Sequence, residues 1–280
     1  HRDLHKEYRR QRQMCISDSF RYMPAYRSKQ WDGKIRLFNQ WKSELYSGLL
    51  HHLTEFASDR RYHLECDSDL QSFQLDYSTT EKLINRFSIP LEVRDYQIDA
   101  VKVALSDKRT ILLSPTASGK SLIIYSLVRS YQDMNNMQTL IVVPTTTLVE
   151  QMFKDFDDYA SNVHWTSEDN CHLIYSGKEK DTDKPIIIST WQSIHRLPKS
   201  FFENIGMVIG DEAHNFKAKS LTSIMTKLVN CEYRIGTTGT LDGTQTHKLV
   251  LEGLFGPVYN VTTTKAVSYT HLTLPTILLV

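Results

Sequence analysis

The sequence predicts an α/β protein. Its main body is a doubly wound parallel sheet over about residues 88–266, and a small basic α+β domain precedes it over residues 1–87. Three observations lead there. Beyond Pro90, short apolar runs alternate with amphipathic segments. A loop ending in Gly119-Lys120-Ser121 lies between one such run and the helical pattern after it. The first forty-two residues differ from the rest in charge.

Taken in order, that opening segment holds eleven Lys and Arg against four acids, a balance of +7, although the whole chain carries only +1. Tyr8, Phe20, Tyr22, Tyr26, Trp31, Phe38 and Trp41 are interleaved with the charges. Basic side chains neutralise phosphates and aromatic faces stack on unpaired bases, so the segment is a candidate nucleic-acid surface. A solvated face over a small aromatic core is the competing reading. Trp31-Asp32-Gly33-Lys34 reads as a tight turn. Ile35 and Leu37, alternating with polar residues, read as a strand, and residues 49–56 suit a short helix.

The runs at 110–114, 139–143, 185–189 and 207–210 are too short for helices and rich in aliphatic residues. That is the pattern of strands buried on both faces. Residues 120–131 and 146–159 carry apolar positions at helical spacing. Alternating strands and helices imply parallel pairing, with ligands at the C-terminal ends of the strands.

Two motifs fall at such ends. Ser114-Pro115-Thr116-Ala117-Ser118-Gly119-Lys120-Ser121 joins a strand to a helix in the phosphate-loop arrangement. Backbone N–H groups and the helix N-terminus cradle phosphate oxygens. Lys120 reaches the β- and γ-phosphates, and Ser121 offers its hydroxyl to Mg2+. Ser114 stands where the general pattern has glycine. The second motif, Asp211-Glu212-Ala213-His214, ends an apolar run. Asp211 is placed to hold Mg2+, and Glu212 to orient and deprotonate the attacking water.

These residues resemble the superfamily-2 helicases and translocases, and Asp-Glu-Ala-His matches the DEAH form of their second ATPase motif. By that resemblance the sheet is RecA-like, a first motor domain of a P-loop NTPase. Lys120, Asp211, Glu212 and His214 are then catalytic, ATP and Mg2+ are the cofactors, and Ser121 and Asp211 are the metal ligands. Arg94 and Gln97, in Arg94-Asp95-Tyr96-Gln97, resemble the nucleotide-sensing Q motif, with Gln97 reading the adenine edge. Pro144, Thr145 and Thr146 resemble motif Ia, and Thr190 and Trp191 motif Ib; both meet the nucleic-acid backbone. Thr238, Gly239 and Thr240 resemble motif III, which couples the ATP site to strand movement, with Gly239 replacing the commoner alanine.

The N-terminal Phe20-Arg21-Tyr22 and the stretch from Trp31 to Leu37 are similar to the small basic domain of the UvsW-type phage DNA helicases. That resemblance implies DNA contacts by Arg21, Arg27, Trp31, Lys34 and Arg36. It also implies ATP-driven work on branched or forked DNA and single/double-strand junctions, in recombination and repair. A monomer in the cytoplasm, of the host cell if phage-encoded, is expected.

The remaining expectations concern what is absent or foreign. No apolar run approaches the ~20 residues of a membrane helix. Cysteines 15, 66, 171 and 231 form no close pair, so no zinc site or disulfide framework is expected. The chain opens with His1, so its natural N-terminus is expected to lie further upstream. Residues 267–276 resemble a translated sequencing-library adapter, and 267–280 are set aside as non-native. A second RecA-like domain with an arginine finger is expected in the complete protein. Residues 1–266 alone are expected to bind ATP weakly and hydrolyse it near background. Two other readings stay open: a P-loop kinase or switch GTPase, and a fragment that binds ATP and DNA without turnover.

Overall fold

The computed structural model describes residues 27–29, 37–39, 41–65, 74–216, 218–241 and 248–262. Arg21, Trp31, Lys34 and Arg36, the turn at 31–34 and the tail at 267–280 lie outside the described residues. The contacts divide the chain into two compact units, His1–Tyr46 and Ser47–Val280.

In the first unit, β1 (Phe38–Asn39) pairs antiparallel with β2 (Glu44–Leu45). Asn39 Oδ1 accepts from the backbone N–H groups of Trp41 and Lys42 at 3.1 and 3.3 Å, so the asparagine side chain shapes the turn. Leu37, expected in a strand, lies just before β1. Arg27 is exposed and helical, just before a turn at Ser28 and Lys29.

The second unit begins earlier than the boundary expected at 87/88. A 3-10 turn (Ser47–Leu49) leads into α1 (Leu50–Asp59), and α2 (Tyr77–Asn85) follows. The side chain of Asp76 caps α2 by accepting from Thr79 N at 2.7 Å. Ile84 and Phe87 then enter the core of the sheet domain. Core packing thus joins α2 to the domain that follows, and a His52–Glu252 contact joins α1 to it; no local pattern announces either.

The remaining elements are α3 (Asp95–Asp107), β3 (Arg109–Leu113), α4 (Lys120–Met134), β4 (Gln138–Val143), α5 (Thr146–Tyr159), α6 (Ser167–Asn170), β5 (Cys171–Ile174), β6 (Ile186–Thr190), α7 (Trp191–Ile194), β7 (Ile205–Asp211), α8 (Ala218–Lys227), β8 (Tyr233–Thr238), α9 (Lys248–Phe255) and β9 (Val258–Asn260). Among the described residues the sheet has seven strands in the order β5-β6-β4-β7-β8-β3-β9, every pair parallel. All five residues of β6 and all seven of β7 are buried, as strands covered on both faces must be. The four expected strands appear as β3, β4, β6 and β7. The sequence pattern missed β5, β8 and β9.

Order, not composition, makes the site. Between β3 and β7 lies β8, with Leu113 opposite Thr238 and Asp211 opposite Thr237. The loop after β3 and the carboxylates ending β7 therefore face each other across the end of β8.

Close approach explains Gly48. A Cβ there would stand 2.1 Å from the carbonyl oxygen of Glu252 and 2.8 Å from that of Gly253. Gly48→Ala is expected to cost roughly 1–3 kcal/mol by overpacking. Denaturant unfolding checks this; an unchanged midpoint would show that the turn does not hold its place on α9.

Candidate nucleotide and nucleic-acid site

The phosphate loop leaves the C-terminal end of β3 and enters α4 through Gly119, whose φ of 77° lies in the left-handed region. A Cβ at Gly119 would stand 2.4 Å from Gln97 Nε2. Both the turn and the neighbouring carboxamide therefore require glycine. Ser114, the departure from the general pattern, is buried and shares a hydrogen bond with Ser118 Oγ. Ser118 Oγ also bonds Pro115 O at 2.6 Å, and Ser114 N donates to Thr238 O at 2.8 Å. A hydroxyl pair thus closes the base of the loop where a glycine would only permit the bend. Thr116 and Ala117 lie exposed at its tip, and Ala117 has φ of 65°.

Gln97 is buried with both ends of its carboxamide engaged. Oε1 accepts from Arg94 N at 2.9 Å, and Nε2 donates to Ser118 O at 2.9 Å. Tyr96, which the sequence reading assigned no role, adds its hydroxyl to Ser118 O at 3.2 Å and receives Arg94 Nη1 at 2.9 Å. The start of α3 is therefore fastened directly to the phosphate loop.

Across the end of β8, Lys120 Nζ donates to Glu212 Oε1. Both side chains are partly exposed, at 18% and 25%, so the pair is accessible and exchangeable. Glu212 adopts φ of 48°, a left-handed turn that swings its carboxylate toward the loop as β7 ends. Asp211 is buried. Burial raises its pKa above the ordinary carboxylate range, and the hydrogen bond from Thr237 opposes that rise. Thr237 Oγ1 donates to Asp211 Oδ1 at 2.6 Å, and Glu212 N donates to the same oxygen at 3.0 Å. Among the described residues, these contacts leave Oδ2 for a further partner. Thr237 orients the expected metal ligand, a role the sequence reading did not assign it.

His214 Nδ1 lies 2.6 Å from Thr238 Oγ1 and 3.4 Å from Glu212 Oε2. Thr238 Oγ1 donates to Thr240 O at 2.7 Å. Gly239 N points to Glu212 Oε2 at 3.5 Å. A Cβ at Gly239 would meet Lys120 Nζ at 3.6 Å and Ser114 O at 3.7 Å, ordinary contact, so the commoner alanine would fit. The expected coupling residues thus lie against the expected catalytic ones.

Ser121 differs from the simplest expectation. Its hydroxyl lies 2.7 Å from Tyr159 OH, at the far end of α5. Engaging a cation there means sharing or breaking that bond. The donor chemistry nonetheless fits ATP with Mg2+: an ammonium, a loop of backbone N–H groups, a hydroxyl and a buried carboxylate. Ser121 and Asp211 would hold the cation, whose chemistry is neutralisation of phosphate charge.

The expected nucleic-acid contacts lie along the same edge. Pro144, Thr145 and Thr146 follow β4, and Thr190 ends β6 with Trp191 opening α7, Val143 lying opposite Thr190 in the pairing. Thr145 and Thr146 are exposed, and Thr145 Oγ1 caps α5 by accepting from Leu148 N at 3.3 Å. Gln192 Nε2 donates to Pro144 O at 3.3 Å and ties the two loops together. Thr190 is buried with its hydroxyl 2.9 Å from Ser193 Oγ, so it shapes the loop from within. Trp191 is half-buried, its ring 5.9 Å from that of His195.

Comparison with known proteins agrees with this geometry. Residues 90–243 match the family described as Type III restriction enzyme, res subunit, and residues 8–67 match the N-terminal domain of the DNA helicase UvsW. The chain is 33% identical over 258 residues to the ATP-dependent DNA helicase uvsW of Enterobacteria phage T4, covering 89% of this chain and 50% of that protein. It is 28% identical over 230 residues to the DNA 3'-5' translocase XPB2 of Sulfurisphaera tokodaii, covering 78% of this chain and 46% of that one. The chain thus spans about half the length of these relatives. A crystal structure of the UvsW helicase from Bacteriophage T4 matches with a TM-score of 0.75 at 32% identity, over 87% of this chain and 88% of the other. With its phosphate loop and Asp-Glu pair on a RecA-like sheet, the chain belongs to the Type III restriction enzyme res-subunit family and, within the superfamily-2 helicases, to the UvsW type.

Proposed function

We propose that this chain is the ATP-binding part of a DNA helicase or translocase that acts on branched or forked DNA in recombination and repair. The observation that carries this reading is the meeting of Lys120 and Glu212 across the end of β8, with Thr237 and Thr238 between them. Lys120 leaves Glu212 to meet the β/γ-phosphates, and the freed carboxylate then takes a proton from the attacking water. His214 and Thr238 sense that change and pass it to the strand end. Asp211 and Ser121 hold Mg2+.

The DNA track in this reading runs over Pro144, Thr145, Thr146 and the loop of Thr190 and Trp191. Arg21, Arg27, Trp31, Lys34 and Arg36 of the basic N-terminal domain also contact DNA in this reading. The protein works as a monomer in the cytoplasm, that of the host cell if phage-encoded. Among the described residues, no helix is long and apolar enough to cross a membrane.

ATP turnover measured with and without forked DNA tests the reading, with a second RecA-like domain supplied. Strong stimulation by forked over blunt duplex DNA is expected. Phosphoryl transfer to a small acceptor, or turnover indifferent to DNA, would overturn it.

The N-terminal contribution has its own test. Replacing Arg21, Arg27, Lys34 and Arg36 together by alanine is expected to flatten the slope of log K against log salt. The change should approach 3–4 units if all four meet duplex phosphates, at about 0.9 each. An unchanged slope would show that the basic segment does not touch the backbone.

A further inference from the structure

A second group of donor atoms lies where the 3-10 turn and α1 meet α9. His51 and His52 are in the first turn of α1, and Glu252 is in α9. Each offers one ligand atom, and the three atoms lie within 4.8 Å of one another. His52 Nε2 is 3.0 Å from Glu252 Oε2, and the two imidazole rings lie 4.0 Å apart at a tilt of 36°. The carboxylate is only 5% exposed. Lys248 Nζ is 3.4 Å from its other oxygen, Oε1. Contact with the Gly48 backbone brings α9 this close.

Two features set the group apart from a simple His–Glu hydrogen bond. His51 Nδ1 lies 3.0 Å from Gly48 O. A proton on Nδ1 donated to that carbonyl leaves the Nε2 lone pair for a ligand, the outer hydrogen bond that orients metal-bound histidines. His51 also lines a cavity of about 1200 Å³ with Glu55 and Asp107. The cavity lies by the N-terminal ends of β3 and β8, the edge opposite the phosphate loop, so water can complete a coordination sphere.

We propose that His51, His52 and Glu252 bind one late first-row divalent cation of the Zn2+ class. Two imidazoles and a carboxylate leave a fourth position for water. The cation takes Glu252 Oε2 while Lys248 keeps Oε1. Its role is structural: it fastens α1 to α9, two segments about 200 residues apart. The sequence expectation of no zinc rested on cysteine spacing, which is blind to ligands brought together by folding. The proposal does not depend on the helicase reading.

The test uses the whole chain, stripped with a chelator and then titrated with Co2+. Expected are saturation at one equivalent, a visible absorption band of four-coordinate Co2+, its displacement by Zn2+, and a rise in Tm with Zn2+. His52→Ala and Glu252→Gln should abolish all of these, and His63→Ala, at an exposed histidine outside the group, should change none. If Glu252→Gln fails to fold by circular dichroism, His51→Ala and His52→Ala decide. No stoichiometric binding, or a band that survives both histidine variants, would overturn the site.

Discussion

Glu212→Gln is expected to lower DNA-stimulated ATP hydrolysis by ~10²-fold or more while nucleotide affinity is at least kept. Glutamine preserves the shape and the acceptor oxygen that faces Lys120, but it cannot take a proton from water. The geometry adds a second expectation. In the free site Lys120 is held by Glu212, and ATP must take it away. Removing the carboxylate charge weakens that competing pair, so the variant should bind ATP as tightly as the parent or tighter. Turnover is read with a second RecA-like domain supplied, and affinity by titration with a fluorescent ATP analogue. Undiminished turnover would assign the water to another residue. Affinity well below the parent's would mean that Glu212 serves the metal site instead.

Lys120→Ala is expected to act on binding itself. A charge-assisted hydrogen bond contributes about 1.5–3 kcal/mol, so ATP affinity should fall by roughly 10- to 150-fold. The fold should survive, because Lys120 and Glu212 are both partly solvated and an accessible ion pair adds only about 0–1 kcal/mol. Thermal unfolding separates the two effects. Equal ATP affinity with an unchanged Tm would remove the phosphate loop from the proposal. Combining Lys120→Ala with Glu212→Gln should not restore affinity, because the lost ammonium and not the remaining carboxylate sets it.

The outcomes of the two variants depend on neighbours that their motifs do not contain. Asp211 is oriented by Thr237 from the adjacent strand, and the phosphate loop is braced by Gln97 and Tyr96 from the helix before β3. Ser121 is engaged by Tyr159, thirty-eight residues further on. A motif read along the chain names the groups that do chemistry. It does not name the groups that aim them.

The sequence by itself determined the alternation of buried strands and amphipathic helices, and with it the parallel α/β class. It also determined the positions of the phosphate loop and the Asp-Glu pair, because each chemistry needs particular residue types at the end of an apolar run. Helix α5 was legible to the residue, since Thr145 supplies a local cap and its apolar face repeats at helical spacing. Only the tertiary structure decided that β8 lies between β3 and β7. That strand has a single large aliphatic residue, Ile235, within Tyr233–Thr238, so no local apolar pattern announces it. The four-residue β5 and the edge strand β9 are equally silent, being defined by their neighbours' hydrogen bonds rather than their own side chains. The attachment of α1 to α9 was hidden for the same reason. It rests on a backbone approach at Gly48 and a His52–Glu252 contact between residues 200 apart, and such contacts have no period along the chain.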